Sequence, residues 1–241
     1  MRGKKNGQEK VAVITGGGSG IGLAMARIFA ASGYSVVITG RDARRLQKAA
    51  GTISADKKQV TGFPCDVRNP ASVEKLFHEI GKQHSTIDVL INNAGVAHSL
   101  APVDQLSVET WKEVIDTNLT GTFLVTRAAL PLMSGGGTIV NNLSVAALQP
   151  FAGMSAYNAS KYGALGFTHA LREDLRKRGI RVLALLPGAT DTEIWSQFWP
   201  DAPKEKMISA ETVAQAVLHA VSAPANTAIE EIRIGPTAGV L

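Results

Sequence analysis

The chain has 241 residues, of which 45% are hydrophobic and 19% are charged, and its net charge is +5. This composition is typical of a folded globular protein and excludes a disordered chain. Its basic clusters are not interleaved with aromatic residues, which argues against nucleic-acid binding, and no apolar run reaches the roughly 18 residues of a membrane span. Cys65 is the only cysteine, so no intrachain disulfide can form, and we expect a cytoplasmic protein without a secretory signal.

Residues 1–10 are rich in basic side chains and are expected to form a flexible leader. Short β-branched runs then predict strands at 11–15, 35–39, 59–65, 88–92, 138–142, 180–186 and 231–234. Helical periodicity predicts helices at 21–32, 42–53, 70–84, 107–132, 155–177 and 211–222. Because strands and helices alternate and the strands are apolar on both faces, the sequence predicts a single α/β domain, a doubly wound parallel sheet of about seven strands with helices on both faces.

A glycine-rich loop follows the first predicted strand and opens the first predicted helix, with the sequence Thr15-Gly-Gly-Gly-Ser-Gly-Ile-Gly22. Glycines permit a tight turn and let an anion approach the backbone, while the helix N-terminus offers free N–H groups and a positive dipole end. The spacing Gly16-x-x-x-Gly20-x-Gly22 describes the loop better than G-x-G-x-x-G does. In this position the loop predicts a dinucleotide site, with a flexible surface loop as the alternative.

The end of the second predicted strand indicates which dinucleotide binds. An acidic residue there would accept the ribose 2′-hydroxyl of NAD, whereas an arginine suits the 2′-phosphate of NADP. The chain has Arg41 at this point, with Arg44 and Arg45 close enough to assist, and Asp42 is interpreted as the cap of the next helix. NADP(H) is therefore favoured over NAD(H), and a surface salt bridge is the other interpretation of Arg41.

Tyr157 and Lys161 are four residues apart, so on a helix they share one face. A neighbouring ammonium stabilises a phenolate, so Lys161 would lower the pKa of Tyr157 from its ordinary value of about 10. Ser144, earlier in the chain, could orient a carbonyl. Taken alone, the pair is also compatible with a half-buried tyrosine beside a solvated lysine. No histidine has the spacing of a zinc site or of a Ser–His–Asp triad, so no metal is expected.

The segment 188–209 is too long for an ordinary connection and holds Trp195 and Trp199, two of the three tryptophans. Connections of this length are often functional. We predict a lid over the substrate, and the alternative is a surface excursion whose aromatic side chains merely pack.

Together these features resemble the short-chain dehydrogenase/reductase family over essentially the whole chain. The resemblance depends on motifs in the family's order and spacing: Thr15-Gly-x-x-x-Gly-Ile-Gly22, Asp66, Asn92-Asn-Ala-Gly95, Asn118, Ser144, Tyr157-x-x-x-Lys161 and Pro187-Gly188. It implies a Rossmann fold. The chain is similar to 3-oxoacyl-(acyl-carrier-protein) reductases and to carbonyl reductases, but the ending around 229–236 lacks the G-x-x-x-x-V-D-G-G type of segment usual in the former. An acyl-carrier-protein partner is therefore not favoured.

The resemblance also implies roles for particular residues. Tyr157 would be the general acid in reduction and the base in oxidation, Lys161 would lower its pKa and bind the nicotinamide ribose, and Ser144 would hold the substrate oxygen. Asn118 would anchor a water that links Lys161 to solvent, although it could instead cap or kink its helix. Asp66 would bind the adenine amino group. The implied cofactor-binding residues are Gly16, Ser19, Gly20, Ile21, Gly22, Arg41, Asp66, Val67, Asn93, Ala94, Gly95, Tyr157, Lys161, Pro187, Gly188, Thr190 and Thr192.

The resulting hypothesis is NADP-dependent hydride transfer between nicotinamide and a carbonyl or secondary alcohol. The alternative is a non-catalytic dinucleotide-binding regulatory or scaffold protein on the same fold, which would be free to lose Ser144, Tyr157 and Lys161. An apolar wall would suit a medium-sized or hydrophobic small molecule. Its expected members are Val96, Ala97, His98, Ala146, Phe151, Met154 and the segment Trp195–Trp199.

Family members of this kind form homodimers or homotetramers through the helices that carry Asn118 and Tyr157, so the resemblance implies the same here. Apolar side chains on these helices are compatible with an interface, but they could equally belong to the core. They are Phe123, Leu124, Leu165 and Phe167.

Overall fold

The computed structural model describes residues 9–53 and 59–239. Its strands are β1 (Lys10–Thr15), β2 (Tyr34–Gly40), β3 (Val60–Pro64), β4 (Val89–Asn92), β5 (Gly137–Asn142), β6 (Ile180–Pro187) and β7 (Glu231–Ile234). Its helices are α1 (Gly20–Ala31), α2 (Ala43–Ile53), α3 (Pro70–Gln83), α4 (Val108–Ile115), α5 (Gly121–Ala129), α6 (Ser155–Arg176) and α7 (Ala210–Val221). Every predicted strand is present, with ends shifted by at most one residue. The predicted leader lies almost entirely outside the described residues, and Lys10, assigned to it, begins β1 instead.

All seven strands are parallel and form one sheet in the order β3-β2-β1-β4-β5-β6-β7. This confirms the predicted doubly wound α/β fold. After β1 the chain builds outward through β2 and β3, then returns to the other side of β1 with β4. The strand order therefore reverses between β1 and β4, and in such sheets ligands bind in the crevice at the carboxyl ends of the strands at this switch point.

Helices cover both faces of the sheet. On one face α1, α2 and α7 bury an apolar layer that includes Met25, Phe29 and Val217, and on the other α3, α5 and α6 bury a layer that includes Leu76 and Leu171. Because apolar side chains meet helices on both sides, the strands are fixed in register and their carboxyl ends form a stable platform. Within the described ranges, no helix is both long and apolar enough to cross a bilayer.

The helix predicted over 107–132 is present as one unbroken helical run over 108–132, but it is not α-helical throughout. A π-helical turn, Asp116–Thr120, separates α4 from α5. The Asn118 side chain explains the wider turn, because its amide nitrogen donates to the Val96 carbonyl at 2.9 Å and its oxygen accepts the Val96 N–H at 2.9 Å. A side chain at Gly121 would also collide there, since an added Cβ would lie 2.8 Å from a methyl carbon of Val67. Single π-helical turns of this kind occur frequently at functional sites.

The segment that joins β5 to α6 is held by one side chain of the helix that follows it. Asn158 is buried, and its amide nitrogen donates to the carbonyls of Ala146 at 2.9 Å and Gln149 at 3.0 Å. Its oxygen accepts the N–H of Phe151 at 3.1 Å. Three backbone groups of the segment therefore depend on Asn158, which fixes where Ser144, at the start of the segment, lies relative to α6.

Replacing Asn158 with alanine should lower the free energy of unfolding by roughly 2–4 kcal/mol, because buried backbone groups would lose their hydrogen-bond partners. Urea denaturation followed by circular dichroism measures the change. The exposed Asn226, replaced in the same way, is the matched control and should change stability by less than about 0.5 kcal/mol. Equal effects of the two substitutions would contradict the assigned role of Asn158.

Candidate active site

Two adjoining cavities open at the carboxyl edge of the sheet. The larger has a volume of about 440 Å³ and the smaller about 230 Å³. Both are lined by Gly16, Ser19, Ala94 and Gly95. They therefore form one groove that crosses the switch point between β1 and β4, which is the shape that an extended two-part ligand requires.

The glycine-rich loop is fixed to the end of β4 by hydrogen bonds. The Thr15 hydroxyl accepts the N–H groups of Asn93 and Ala94, both at 2.9 Å. In return the Asn93 amide donates to the carbonyls of Thr15 at 3.0 Å and Gly16 at 3.2 Å. Gly16 and Gly20 have φ of 64° and 50°, in the left-handed region that favours glycine. The loop is thus a built part of the groove and not a flexible surface loop.

The residues of this loop fit a pyrophosphate. Ser19, Gly20 and Ile21 line the larger cavity at the N-terminus of α1, where the first backbone N–H groups have no acceptor within the helix. The Ser19 hydroxyl makes no capping bond. Gly22 lies behind them and lines neither cavity; a Cβ added to it would lie 2.3 Å from the Gly16 carbonyl oxygen. Gly22 therefore serves close packing of the loop against α1.

The smaller cavity lies beyond the ends of β2 and β3, and its wall is rich in guanidinium groups. Arg41, Asp66 and Val67 line it as predicted, together with Arg45 and Arg68. The Arg41 side chain is 57% exposed and lies 3.7 Å from a Glu113 carboxylate oxygen. Such an exposed pair contributes little to stability, so the guanidinium can be redirected to a ligand anion.

Asp42 also lines the smaller cavity, but its carboxylate is used by the backbone of α2. One oxygen accepts the N–H groups of Arg44 at 2.9 Å and Arg45 at 3.0 Å. This confirms the interpretation of Asp42 as the helix cap. One of its two carboxylate oxygens is therefore already engaged and less available to a ribose 2′-hydroxyl. Arg44 itself lines neither cavity.

Arg68 was not predicted as a site residue, but it lines the smaller cavity. Its guanidinium binds the Asp66 carboxylate, with Nε 2.9 Å and Nη2 2.7 Å from the two oxygens. The backbone N–H of Arg68 donates a third bond to the carboxylate at 3.0 Å. These bonds hold the pKa of Asp66 below its ordinary value, so the carboxylate stays ionised. The one feature of the sequence that could have indicated Arg68 as a site residue is its position two residues after Asp66, in the same turn.

Ser144, Tyr157 and Lys161 all line the larger cavity. Ser144 follows β5, while Tyr157 and Lys161 lie on the same face near the start of α6. The Lys161 Nζ is 5.5 Å from the centre of the Tyr157 ring and donates to the Asn142 carbonyl at 3.1 Å. Lys161 is only 6% exposed, so the alternative of a solvated lysine is wrong.

Burial controls the protonation of this pair. It raises the pKa of Tyr157 above its ordinary value, with hydrogen bonding to Ser144 acting in the opposite direction. It lowers the pKa of Lys161 to about 8. The groups present here therefore do not produce the lowering of the Tyr157 pKa that we expected from Lys161. At neutral pH Tyr157 is a neutral phenol, in the state that can donate a proton, and most of the Lys161 population is cationic.

Asn118 lines neither cavity and lies one layer behind Lys161. Besides Val96, its amide nitrogen reaches the Ser160 hydroxyl at 3.0 Å, and that hydroxyl donates to the Tyr157 carbonyl at 2.7 Å. Its own carbonyl accepts the Thr122 hydroxyl at 2.9 Å. Asn118 therefore connects the π-helical turn with the part of α6 that carries Tyr157.

The far end of the larger cavity is formed after β6. Its lining includes the predicted residues Pro187, Gly188, Thr190 and Thr192. Of the predicted apolar wall, the members found there are Ala146, Phe151, Met154, Trp195, Phe198 and Trp199.

Three members of the predicted apolar wall lie elsewhere. Val96 lines the smaller cavity, and Ala97 and His98 line neither. The Ala97 N–H is bound by the Gln197 side chain at 3.0 Å, and the buried His98 ring has Nδ1 2.8 Å from the Ser99 carbonyl oxygen. The chain thus leaves the groove at Ala97 and His98 and lines it again at Leu100, which the sequence did not indicate.

Leu100 and Asn142 line the larger cavity and were not predicted. Leu100 comes from the irregular segment after β4, whose path no local pattern reveals. Asn142 donates to the Asn93 side-chain oxygen at 2.8 Å, and its own side-chain oxygen is buried without a partner among the described residues. A buried polar atom beside the groove is the kind of group that a polar ligand could satisfy.

The aromatic segment 193–199 is attached to three parts of the site. Glu193 pairs with Arg45, whose Nε donates to the Gly18 carbonyl at 3.3 Å. The Trp195 indole donates to the Thr190 carbonyl at 2.8 Å. Gln197 binds Ala97 through its side chain. The segment therefore bridges the glycine-rich loop and the chain that follows β4, above the larger cavity.

The lowered pKa of Lys161 predicts a particular pH dependence of stability. In the folded protein the group loses its proton near pH 8, whereas the unfolded chain keeps it to about 10.5, so the unfolded state binds more protons between these values. Stability should therefore rise with pH in this window relative to the variant Lys161→Met. We expect the difference in unfolding free energy between the two proteins to change by about 2 kcal/mol from pH 7 to 9.5, measured by urea denaturation. A flat difference would contradict the lowered pKa.

Comparisons with known proteins agree with this geometry. A family model described as short chain dehydrogenase matches residues 10–203. The chain is 33% identical over 230 residues to an uncharacterized oxidoreductase of Staphylococcus aureus (strain MW2), covering 95% of this chain and 97% of that protein.

Two solved structures show the same architecture with a nicotinamide dinucleotide bound. One is a serine dehydrogenase complexed with NADP⁺ in its closed form, with a TM-score of 0.89, 32% identity and 96% of each chain covered. The other is the 3-ketoacyl-(acyl-carrier-protein) reductase of Brucella melitensis complexed with NADH, with a TM-score of 0.86, 28% identity, and 93% of this chain and 96% of that one covered. On the strength of the family match and the shared architecture, this chain belongs to the short-chain dehydrogenase family and is an oxidoreductase.

Proposed function

We propose that the protein is an NADP-dependent oxidoreductase that transfers hydride between nicotinamide and a carbonyl or secondary alcohol, with Tyr157 as the general acid and base. One observation carries the proposal. The candidate proton-transfer groups, Ser144, Tyr157 and Lys161, line the same cavity as the glycine-rich loop. A bound dinucleotide and a small molecule would therefore meet beside a phenol that can donate a proton.

Each catalytic group of the chain has a separate role in the proposed reaction. When bound, the dinucleotide supplies or accepts the hydride. The Ser144 hydroxyl and the Tyr157 phenol hold the substrate oxygen by hydrogen bonds, and Tyr157 gives that oxygen a proton in reduction or takes it in oxidation. Burial disfavours the phenolate left by proton transfer, and the cationic Lys161, close to the Tyr157 ring, would offset part of that cost. Asn118 positions the Tyr157 end of α6 through Ser160.

The preference for NADP over NAD is supported by the charge of the smaller cavity. Three guanidinium groups, from Arg41, Arg45 and Arg68, line it against the carboxylates of Asp42 and Asp66. Asp66 is already paired with Arg68, whereas the pairs that Arg41 and Arg45 make with Glu113 and Glu193 are largely exposed and contribute little, so these two guanidinium groups could turn to a 2′-phosphate. NAD(H) remains the alternative, since one of the two dinucleotide-bound relatives above carries NADH.

Neither substrate named for the two solved relatives is favoured for this chain. The segment 229–236 favours no acyl-carrier-protein partner, and free serine is a polar zwitterion whereas the larger cavity is mostly apolar. A non-catalytic binding protein is not favoured, because Ser144, Tyr157 and Lys161 are all present and lie in one cavity.

We also propose a homodimer or homotetramer built on the exposed side of α5 and α6. Phe123 and Phe167 stack edge to face there with ring centres 6.1 Å apart, and Phe123 is 44% exposed. An apolar aromatic pair at the surface is suited to a partner subunit. Cytoplasmic residence stays a prediction from the single cysteine.

Replacing Tyr157 with phenylalanine should lower kcat for carbonyl reduction by about 10²–10⁴-fold, because the proton donor is removed while the ring is kept. NADPH oxidation measures turnover, and NADPH fluorescence titration should show nearly unchanged binding. The exposed Tyr162, on the same helix, is the matched control, and its phenylalanine variant should retain full turnover. Turnover of the Tyr157→Phe variant at the level of the unmodified protein would remove Tyr157 from the mechanism.

Replacing Arg41 with alanine should raise KM for NADPH at least tenfold, because a charge-assisted hydrogen bond to the 2′-phosphate would be lost. KM for NADH should change by less than about threefold, since NADH lacks that phosphate. Steady-state kinetics with both dinucleotides provide the measurement. Arg44→Ala is the control, because Arg44 lines neither cavity. Equal changes in both KM values would show that Arg41 does not select the dinucleotide.

A further inference from the structure

The substrate end of the larger cavity is walled by apolar side chains from three separate segments. Leu100 comes from the chain after β4, Phe151 and Met154 from the segment held by Asn158, and Ile194 from the segment after β6. They surround the side of the cavity that lies away from the glycine-rich loop. Water in such a space is readily displaced by an apolar body.

An aromatic cluster completes this wall. Trp195 lies 4.9 Å from Phe198 and 6.1 Å from Trp199, measured between ring centres, and all three line the cavity. The indole N–H of Trp195 is already used by the Thr190 carbonyl. The cluster therefore offers ring surfaces, which favour contact with another ring at offset or edge-to-face geometry.

Among the described residues, the apolar part of this wall carries no cationic side chain that could pair with a substrate anion. Besides Tyr157, the described side chains that can carry charge in the lining of the cavity are Lys161 and Glu193. Lys161 is buried next to Tyr157 and bound to the Asn142 carbonyl, and Glu193 is negative and paired with Arg45. A substrate carboxylate would be unpaired in an apolar space and close to a like charge, which is strongly unfavourable.

We propose, building on the proposed reductase function, that the substrate is a neutral carbonyl compound with a compact aromatic body, and that carbonyl compounds bearing a carboxylate are rejected. The compactness follows from the volume. The 440 Å³ of the cavity include the part lined by Ser19, Gly20 and Ile21, which the dinucleotide would occupy. The space left beside Ser144 and Tyr157 suits about one ring system.

Three ketones test the proposal with the full-length protein and NADPH. Methyl 4-acetylbenzoate and 4-acetylbenzoate have nearly the same shape and differ in charge, and butanone is neutral but lacks the ring. Kinetics of NADPH oxidation give kcat/KM for each. Calorimetric titration of the Tyr157→Phe variant, saturated with NADP⁺, gives binding of the same compounds without turnover.

We expect kcat/KM for the methyl ester to exceed that for the carboxylate by at least 100-fold and that for butanone by at least tenfold. Phe198→Leu removes a ring of the wall without touching a hydrogen bond; it should lower kcat/KM for the ester at least tenfold and that for butanone less than threefold, while NADPH binding is unchanged. Trp111→Phe, which alters the tryptophan outside the cavity, is the control and should leave all three values within twofold.

Two failures are distinguishable. If the carboxylate or butanone is reduced as efficiently as the ester, the substrate class is wrong and the reductase function stands. If none of the ketones is reduced although NADPH binds, the proposed reduction fails, and calorimetry then decides the substrate class. A preference of the Tyr157→Phe variant for the ester would support the neutral aromatic pocket, and equal or absent binding of all three compounds would overturn it.

Discussion

A series of hydrogen bonds across the ends of three strands holds the whole site together. The Gly16 carbonyl accepts the Asn93 amide, the Asn93 oxygen accepts the Asn142 amide, and the Asn142 carbonyl accepts the Lys161 ammonium. Gly16 follows β1, Asn93 follows β4 and Asn142 ends β5, and these three strands lie side by side in the sheet; Lys161 lies on α6. The glycine-rich loop and the lysine of the proton-transfer pair are therefore positioned by the same short network, and neither can shift without the other.

This network places two unfavourable features beside the larger cavity. Lys161 is a cation in a low-dielectric environment with a single carbonyl acceptor among the described residues, so burial lowers its pKa. Asn142 keeps a buried side-chain oxygen without a partner among those residues. In a core that serves only stability, each of these polar groups would be expected to have its hydrogen-bond partners. Perturbed groups of this kind cluster at functional sites, and their concentration at one groove supports the proposed binding and proton transfer there.

Features that depend on neighbours in sequence were predictable, and features that depend on distant contacts were not. The strands, the glycine-rich loop and the Asp42 cap follow from local patterns, and the structure contains all of them. The π-helical turn within the helix 107–132 is associated with bonds between Asn118 and the distant Val96, which periodicity cannot reveal. For the same reason Ala97 and His98 were placed in the substrate wall, although the chain turns away from the groove where Gln197 binds it.

The aromatic segment 193–199 contacts both the substrate end and the arginine-rich end of the groove. Its ring surfaces face the substrate space, while Glu193 reaches the arginine-rich side through Arg45, a pair that is largely exposed. Exposed ion pairs contribute only about 0–1 kcal/mol, so the attachment on that side is weak compared with the buried apolar contacts of the sheet. Displacing the segment on that side should therefore cost less free energy than displacing the rest of the site. An anion bound by Arg45 would compete with Glu193 for the same guanidinium. This competition supports the prediction that 188–209 forms a lid, which stays a prediction.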